Sequence, residues 1–254
     1  MVDRYFADPD LARFYDALCA GRDDFHFYLP LVMAARSVLD VACGTGDLLH
    51  RARRAGHTGR LCGLDPGEGM MRRARRRTDI EWVLGDLSRT DWYREFDLVV
   101  MTGHAFQVFL TDEELGSSLR AIRSALTDDG RFVFETRNPL VREWERWTPD
   151  VVVEATDDAG ALVRARHEVE EPVVGDLVSF NTTFTSPGWD GPRTSRSTLR
   201  FLGPDALSSF LGDAGLEVEE QFGDWSRGPL TPVSPEIITV AGRRTGHGAR
   251  GRFT

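Results

Sequence analysis

From residue 37 the chain alternates between two hydrophobic periods. Short apolar runs at 37–42, 60–65, 80–84 and 96–101 read as buried strands, and "RFVFET" (131–136) follows an Asp129-Gly130 turn as a fifth. Between them, apolar positions recur at helical spacing over 47–55, 68–76 and a stretch ending near Ala125 that Thr111 caps. Strands alternating with helices predict an α/β fold with a parallel sheet covered on both faces. Ahead of this unit, Asp8 and Pro9 carry a helix-start signal. Leu11, Phe14, Tyr15 and Leu18 then fall on one helical face, with Gly21 as the stop.

The pattern changes after residue 150. "VVVEA", "LVRARHEVEE", "DLVSFNTTFT" and "STLRFL" are strand-like runs separated by turn residues, with no helical spacing between them. They predict an antiparallel β insertion over 150–201. A helix over 204–213 and two closing strands, "LEVEEQF" and "PEIITVAG", complete the core. The expected division is an N-terminal helical cap (1–36), a cofactor-binding core (37–149), the insertion, closing core elements (202–242) and a disordered Gly- and Arg-rich tail (243–254).

Charge narrows the partners. The 254-residue chain has a net charge of −9, which disfavours a nucleic-acid partner. All its basic side chains apart from histidine are arginine, a usage attributable to a GC-rich coding genome. The run Arg72, Arg73, Arg75, Arg76 and Arg77 suits the exposed C-terminal turn of a helix better than a binding patch. Cys19, Cys43 and Cys62 lack CxxC spacing, so no metal is expected and the thiols fit a cytoplasmic protein. Neither a signal peptide nor a membrane span is read.

Candidate chemistry gathers at the strand ends. In "VLDVACGTGDLL" (38–49), Gly44 and Gly46 let backbone approach a ligand, but Leu49 stands where a dinucleotide fingerprint has its third glycine. Asp40 precedes the loop, where an acid would face an ammonium. Asp65 ends the second strand, where a carboxylate can take ribose hydroxyls. Asp86 follows the third strand in "VLGDL", with Gly85 before it; it can accept from an adenine amino group while Leu87 lies against the ring.

This ordered set resembles the class I S-adenosylmethionine-dependent methyltransferases of the small-molecule, bacterial type. The matching stretches are "VLDVACGTG", "GLDPGEGMM", "VLGDL" and "FDLVVMTGHAF". The resemblance implies a Rossmann-like, doubly wound, seven-stranded sheet with S-adenosyl-L-methionine as cofactor and S-adenosyl-L-homocysteine as product. It implies that Ala42, Gly44 and Gly46 wrap the methionine end, with Cys43 a small filler in the same loop. It puts Pro66 and Met70 beside the adenine, and Met101 and Thr102 along the sulfonium side. It also implies that Tyr15, with Tyr5, belongs to a segment folding over the cofactor, and that the insertion is a substrate lid or an oligomerisation sheet with Phe180, Phe184 and Trp189 on its inner face. The expected reaction is methyl transfer to nitrogen or oxygen of a small metabolite, as in secondary metabolism.

His104 is the candidate catalytic base because it lies just past the fourth strand and titrates near neutrality. His26 and His167 are rivals; His50 and His57 look like surface residues. Phe106, Arg137 and Trp144 are candidate acceptor contacts, although Trp144 and Trp147, three apart, equally suit seating a helix on the sheet edge. Two other readings compete: an NAD-linked oxidoreductase, against which Leu49 argues, and a non-enzymatic cofactor-binding regulatory partner.

Overall fold

The computed structural model describes residues 2–244. Seven strands form one sheet: β1 (Ser37–Val41), β2 (Arg60–Asp65), β3 (Glu81–Leu84), β4 (Phe96–Met101), β5 (Leu126–Arg137), then β10 (Leu216–Phe222) and β11 (Glu236–Arg243). Their order is β10-β11-β5-β4-β1-β2-β3, and β1 to β5 pair in parallel. Only β11 runs the other way, antiparallel to both β5 and β10. The strand order reverses between β1 and β4, the point at which such sheets bind ligands beyond their carboxyl ends.

Alternating side chains on these strands build two cores. Leu39, Val99, Met101, Phe132 and Phe134 face helices α7 (Asp112–Ala125) and α8 (Pro204–Asp213). Val38, Leu98, Val100 and Val133 face α4 (Asp24–Ala34) and α5 (Asp47–Arg54). Thr111 and Glu114 close a reciprocal capping box on α7. Helix α4 has no sequence signal because it is apolar on nearly every face and holds Pro30. Among the described residues no helix is long and apolar enough to cross a membrane.

The N-terminal segment departs from the expected single helix. It breaks into α1 (Arg4–Ala7), α2 (Pro9–Ala12) and α3 (Tyr15–Leu18). Asp8 does cap α2 through Asp10 N–H at 2.9 Å. The breaks let Leu11 and Phe14 pack on the insertion while Tyr15 turns to the glycine loop. Arg73, on α6 (Glu68–Ala74), anchors this strap through Asp16 at 2.9 Å.

Strands β6 (Val152–Thr156), β7 (Leu162–Val169), β8 (Leu177–Thr185) and β9 (Arg193–Arg200) form the separate antiparallel insertion after the fifth strand. Its registers put Ala165, His167, Phe180, Thr182, Phe184 and Ser195 on one face. One end of that face holds Phe14, and Tyr5 N–H donates to Ser195 Oγ at 3.0 Å. The other end holds Trp147, with ring centroids 4.9 Å from Phe180. Trp189 packs edge-on to Phe14. The expected helix after Asn138 is absent; two 3-10 turns, Pro139–Val141 and Glu143–Arg146, stand there, separated by Arg142 at φ +51°. The tryptophans of this segment seat against the insertion rather than the main sheet. Of the tail, residues 245–254 lie outside the described residues.

Phe14 is 1% exposed and anchors the strap. Phe14→Ala should destabilise this packing by about 3 kcal/mol. Hydrogen exchange should then accelerate over residues 5–19 while β1, β4 and β5 keep their protection.

Candidate active site

The loop after β1 opens a cleft walled by Tyr15, Arg22, Asp40, Ala42, Cys43, Gly44 and Thr102. Backbone geometry explains the loop residues. Ala42, Gly44 and Gly46 all have positive φ, at +56°, +57° and +76°. Gly44 borders the cleft, and a Cβ there would meet only Tyr15 at 3.9 Å. Gly46 has a different reason to be glycine: a Cβ would stand 2.4 Å from the Trp82 ring. Packing against Trp82 thus excludes a side chain at this position. Leu49 is fully buried beside α4 in the core.

Asp40 is 1% exposed, and neither carboxylate oxygen has a hydrogen-bond partner among the described residues. Burial raises its pKa to about 8, with Arg22 pulling the other way. A buried carboxylate without a donor is costly, so the position fits a cationic group arriving from outside the chain. Arg22, in the loop before α4, is held by Asp24 and by Thr102 Oγ1 at 3.2 Å. No motif marks Arg22 in the sequence. It stands where a carboxylate could pair with it while Asp40 takes an ammonium, the two charges of an amino-acid end.

Asp65 ends β2 and is buried. Its Oδ2 accepts from Gly44 N–H at 2.9 Å and its Oδ1 from Gly67 N–H at 2.7 Å. Burial raises its pKa and these two bonds oppose the rise. Each oxygen keeps a lone pair for a hydroxyl donor. Met70 is buried on α6 and Pro66 is exposed at the turn before it. Asp86 is exposed and spends one oxygen on Ser88 N–H at 2.9 Å; Gly85 before it has φ +153°. Leu87 and Met101 belong to the α7-side core.

Beyond β4 a second polar group adjoins the cleft. His104 has a left-handed backbone, φ +61°, and its N–H donates to Glu135 Oε1 at 2.8 Å. Tyr28 of α4 donates its hydroxyl to the other oxygen of Glu135. The ring Nε2 of His104 lies 2.8 Å from Glu236 Oε2. Burial lowers the pKa of His104 to about 4, helped by Arg137, and raises that of Glu236 to about 7. Arg137 bonds Gln107 Oε1 at 3.0 Å and lies over the Trp147 ring, 5.3 Å from its centroid. Trp147 and His167 continue this wall to the insertion.

Two expected acceptor contacts do not face this region. Phe106 is 3% exposed and stacks on Phe134 at 4.1 Å, inside the core. Trp144 is buried against Phe201 with centroids 4.5 Å apart, so Trp147 rather than Trp144 adjoins Arg137. His26 is exposed, and His57, expected at the surface, is buried with Nε2 on Ala35 O at 2.8 Å. His50 is half-buried and bonds Ala74 O at 2.9 Å. Tyr28, Glu135 and Glu236 have no motif; each is isolated in sequence, and the fold brings Tyr28 to Glu135 and Glu236 to His104.

Comparison with known proteins gives this geometry its context. A family described as "Methyltransferase domain" matches residues 38–130. The dTDP-3-amino-3,4,6-trideoxy-alpha-D-glucopyranose N,N-dimethyltransferase of Streptomyces venezuelae is 31% identical over 160 residues, 59% of this chain and 61% of that one. The chain belongs to the S-adenosylmethionine-dependent methyltransferases. This methyltransferase is also 27% identical over 228 residues to the dTDP-4-amino-2,3,4,6-tetradeoxy-D-glucose N,N-dimethyltransferase of Saccharopolyspora spinosa, covering 83% and 87% of the two chains. In fold it is similar to the CcbJ methyltransferase from Streptomyces caelestis, with a TM-score of 0.72, 22% identity and coverage of 92% and 96%. The enzyme uses S-adenosylmethionine, which replaces the NAD-linked and non-enzymatic readings.

Asp40 yields a signed prediction. Its folded pKa of about 8 lies above the ordinary carboxylate value, so the folded protein holds a proton that the unfolded chain has released. Its stability contribution is full below about pH 4 and is lost as pH rises through 8. Asp40→Asn should therefore raise Tm at pH 8.5 relative to the parent, with little difference near pH 4. At pH 7, cofactor binding to the parent should release a proton that Asp40→Asn does not, measured by calorimetry in buffers of different ionisation enthalpy.

Proposed function

We propose that the enzyme methylates the amino nitrogen of a small polar acceptor, of the amino-sugar kind. The observation that carries this reading is the His104–Glu236 pair beside the cofactor cleft, with Glu135 and Asp24 close to it. Such an acid-rich site favours an acceptor that arrives as an ammonium. Proton-transfer energetics separate nitrogen from oxygen. An alkylammonium gives up its proton near ~10, whereas a water-like hydroxyl holds its proton far more tightly. His104, the base of the pair, is held down to about 4 by burial, about six units below the first and much further below the second, so the ammonium proton is by far the easier one for it to take. Two relatives carry N,N-dimethyltransferase names on amino-sugar nucleotides, which supports the same choice.

In this reading Asp40 holds the cofactor's ammonium and Arg22 its carboxylate. Ala42, Cys43 and Gly44 line its methionine end with Tyr15, and Thr102 borders the reacting side. Asp65 takes the ribose, and Asp86 accepts from the adenine amino group, with Met70 and Pro66 nearby. Held by these residues, S-adenosylmethionine would supply an electrophilic methyl for transfer to the acceptor nitrogen, with S-adenosylhomocysteine as the leaving product. His104 removes the proton that occupies the nitrogen lone pair. The inner face of the insertion, with His167, Phe180 and Thr182, covers the acceptor and excludes water.

The test is incubation of the enzyme with methyl-labelled cofactor and paired acceptors, an amino sugar and its analogue with hydroxyl in place of the amine. Labelled N-methyl product from the amine alone is expected; labelling of the hydroxyl analogue on oxygen would overturn the reading. His104→Ala should lower kcat by about 100-fold while leaving the affinity for S-adenosylhomocysteine unchanged in calorimetry.

A further inference from the structure

We propose that Glu236 is a positioning residue: it fixes His104 as the Nε2–H tautomer and so leaves Nδ1 as the atom that takes the acceptor's proton. This rests on the amine-methylation reading for its proton donor, but the tautomer itself does not.

The geometry is built from distant parts of the chain. Glu236 opens β11, and because that strand runs opposite to β5, its first residue pairs with Arg137 at the last residue of β5. That reversal brings a carboxylate from the start of a strand to the edge where the parallel strands end. His104 cannot swing freely to meet it. Its backbone is left-handed, and its N–H is tied to Glu135 Oε1, so the ring is presented from a fixed base. The contact, Nε2 to Oε2 at 2.8 Å, is 19% and 12% exposed on its two sides. No hydrogen bond to Nδ1 is formed among the described residues.

An ionised carboxylate only accepts hydrogen bonds, so the ring must place its hydrogen on Nε2. A neutral imidazole carries one N–H, and Nδ1 is then a free lone pair. The charged and titratable groups around the pair are Glu135 and Arg137 on β5, Glu143 in the following turn, and Asp24 on α4. Arg137 favours ionised Glu236 and opposes a charged ring; the three acids do the reverse. Proton transfer then balances simply: the ammonium N–H bond breaks, an Nδ1–H bond forms, and the new imidazolium keeps its Nε2–H on Glu236. The positive charge moves from the substrate nitrogen to a ring already paired with a carboxylate.

The same pair sets the acid limb of activity. Burial holds Glu236 up to about 7. Below that pH the carboxyl is protonated and donates its O–H to Nε2. The ring hydrogen must then move to Nδ1, and the base is lost. Activity therefore falls as pH drops through about 7.

Two measurements test this. The first is nitrogen NMR of the ¹⁵N-histidine-labelled protein without acceptor. At pH 8.5 His104 should be the Nε2–H tautomer in the parent and mixed in Glu236→Gln, whose amide can either donate or accept. The second is the pH profile of methyl transfer. Glu236→Gln should lower kcat by about 10–100-fold with KM changed less than about threefold, and should move the acid limb at least one pH unit away from 7. Glu236→Asp should keep the tautomer and part of kcat, which separates positioning from simple folding damage. An Nδ1–H tautomer in the parent at pH 8.5, or an unchanged tautomer and acid limb in Glu236→Gln, would overturn the proposal. If the parent methylates no amine yet shows the Nε2–H tautomer that Glu236→Gln loses, the amine reading fails and the positioning role stands.

Discussion

Glu135 ties three elements of the fold together beside the candidate site. One oxygen takes the Tyr28 hydroxyl from α4 and the other takes the His104 N–H beyond β4, while the residue itself sits near the end of β5. Donors on both oxygens offset the cost of burying this carboxylate so deeply. The two donors come from elements far apart in sequence, so the requirement fixes three elements relative to one another. It also sustains the left-handed backbone of His104, a conformation that a non-glycine residue keeps only when its surroundings enforce it. The packing of β11 against β5 then carries Glu236 to the ring.

Acids dominate the buried charge along this edge. Asp24, Asp40, Asp65 and Glu135 are all buried, with Glu236 nearly so, and Arg22 and Arg137 are the cations set among them. Burial raises the pKa of Asp40, Asp65, Glu135 and Glu236 alike. S-adenosylmethionine brings both an ammonium and a sulfonium to such a site. Arg22 and Arg137 partly offset this buried negative charge: Arg22 opposes the rise at Asp40, and Arg137 the rise at Glu236.

The strap and the insertion share one apolar cluster. Phe14 and Leu11 on the strap fill the same apolar cluster as Val163, Ala165 and Phe184 of the insertion. At its other end the insertion rests on Trp144 and Trp147. Between these supports lie polar and aromatic residues, His167, Phe180 and Thr182, and His167 donates to or accepts from Thr182 Oγ1 at 2.9 Å. Arg73 links the strap back to α6, the helix that follows β2. Movement of the strap would therefore alter both the cleft beside the glycine loop and the seating of the insertion.

Hydrophobic period and turn residues carried most of the architecture in the sequence. Strands β2 and β4, helix α8, the capping box on α7 and the antiparallel insertion all follow from local patterns, because each buries one regular face. Asp40, Asp65 and Asp86 were legible as candidates because strand ends are marked by the apolar runs before them. What the sequence could not carry was contact between remote residues. The strap breaks into three pieces to satisfy two partners at once, and α4 hides its helix in a uniformly apolar run. Phe106 and Trp144 looked available but are consumed by packing, whereas Arg22, Glu135 and Glu236 had no motif at all. The sequence by itself determined a methyltransferase fold and where its cofactor loop begins. Only the tertiary structure decided which side chain meets His104, because that depends on one strand running against its neighbours.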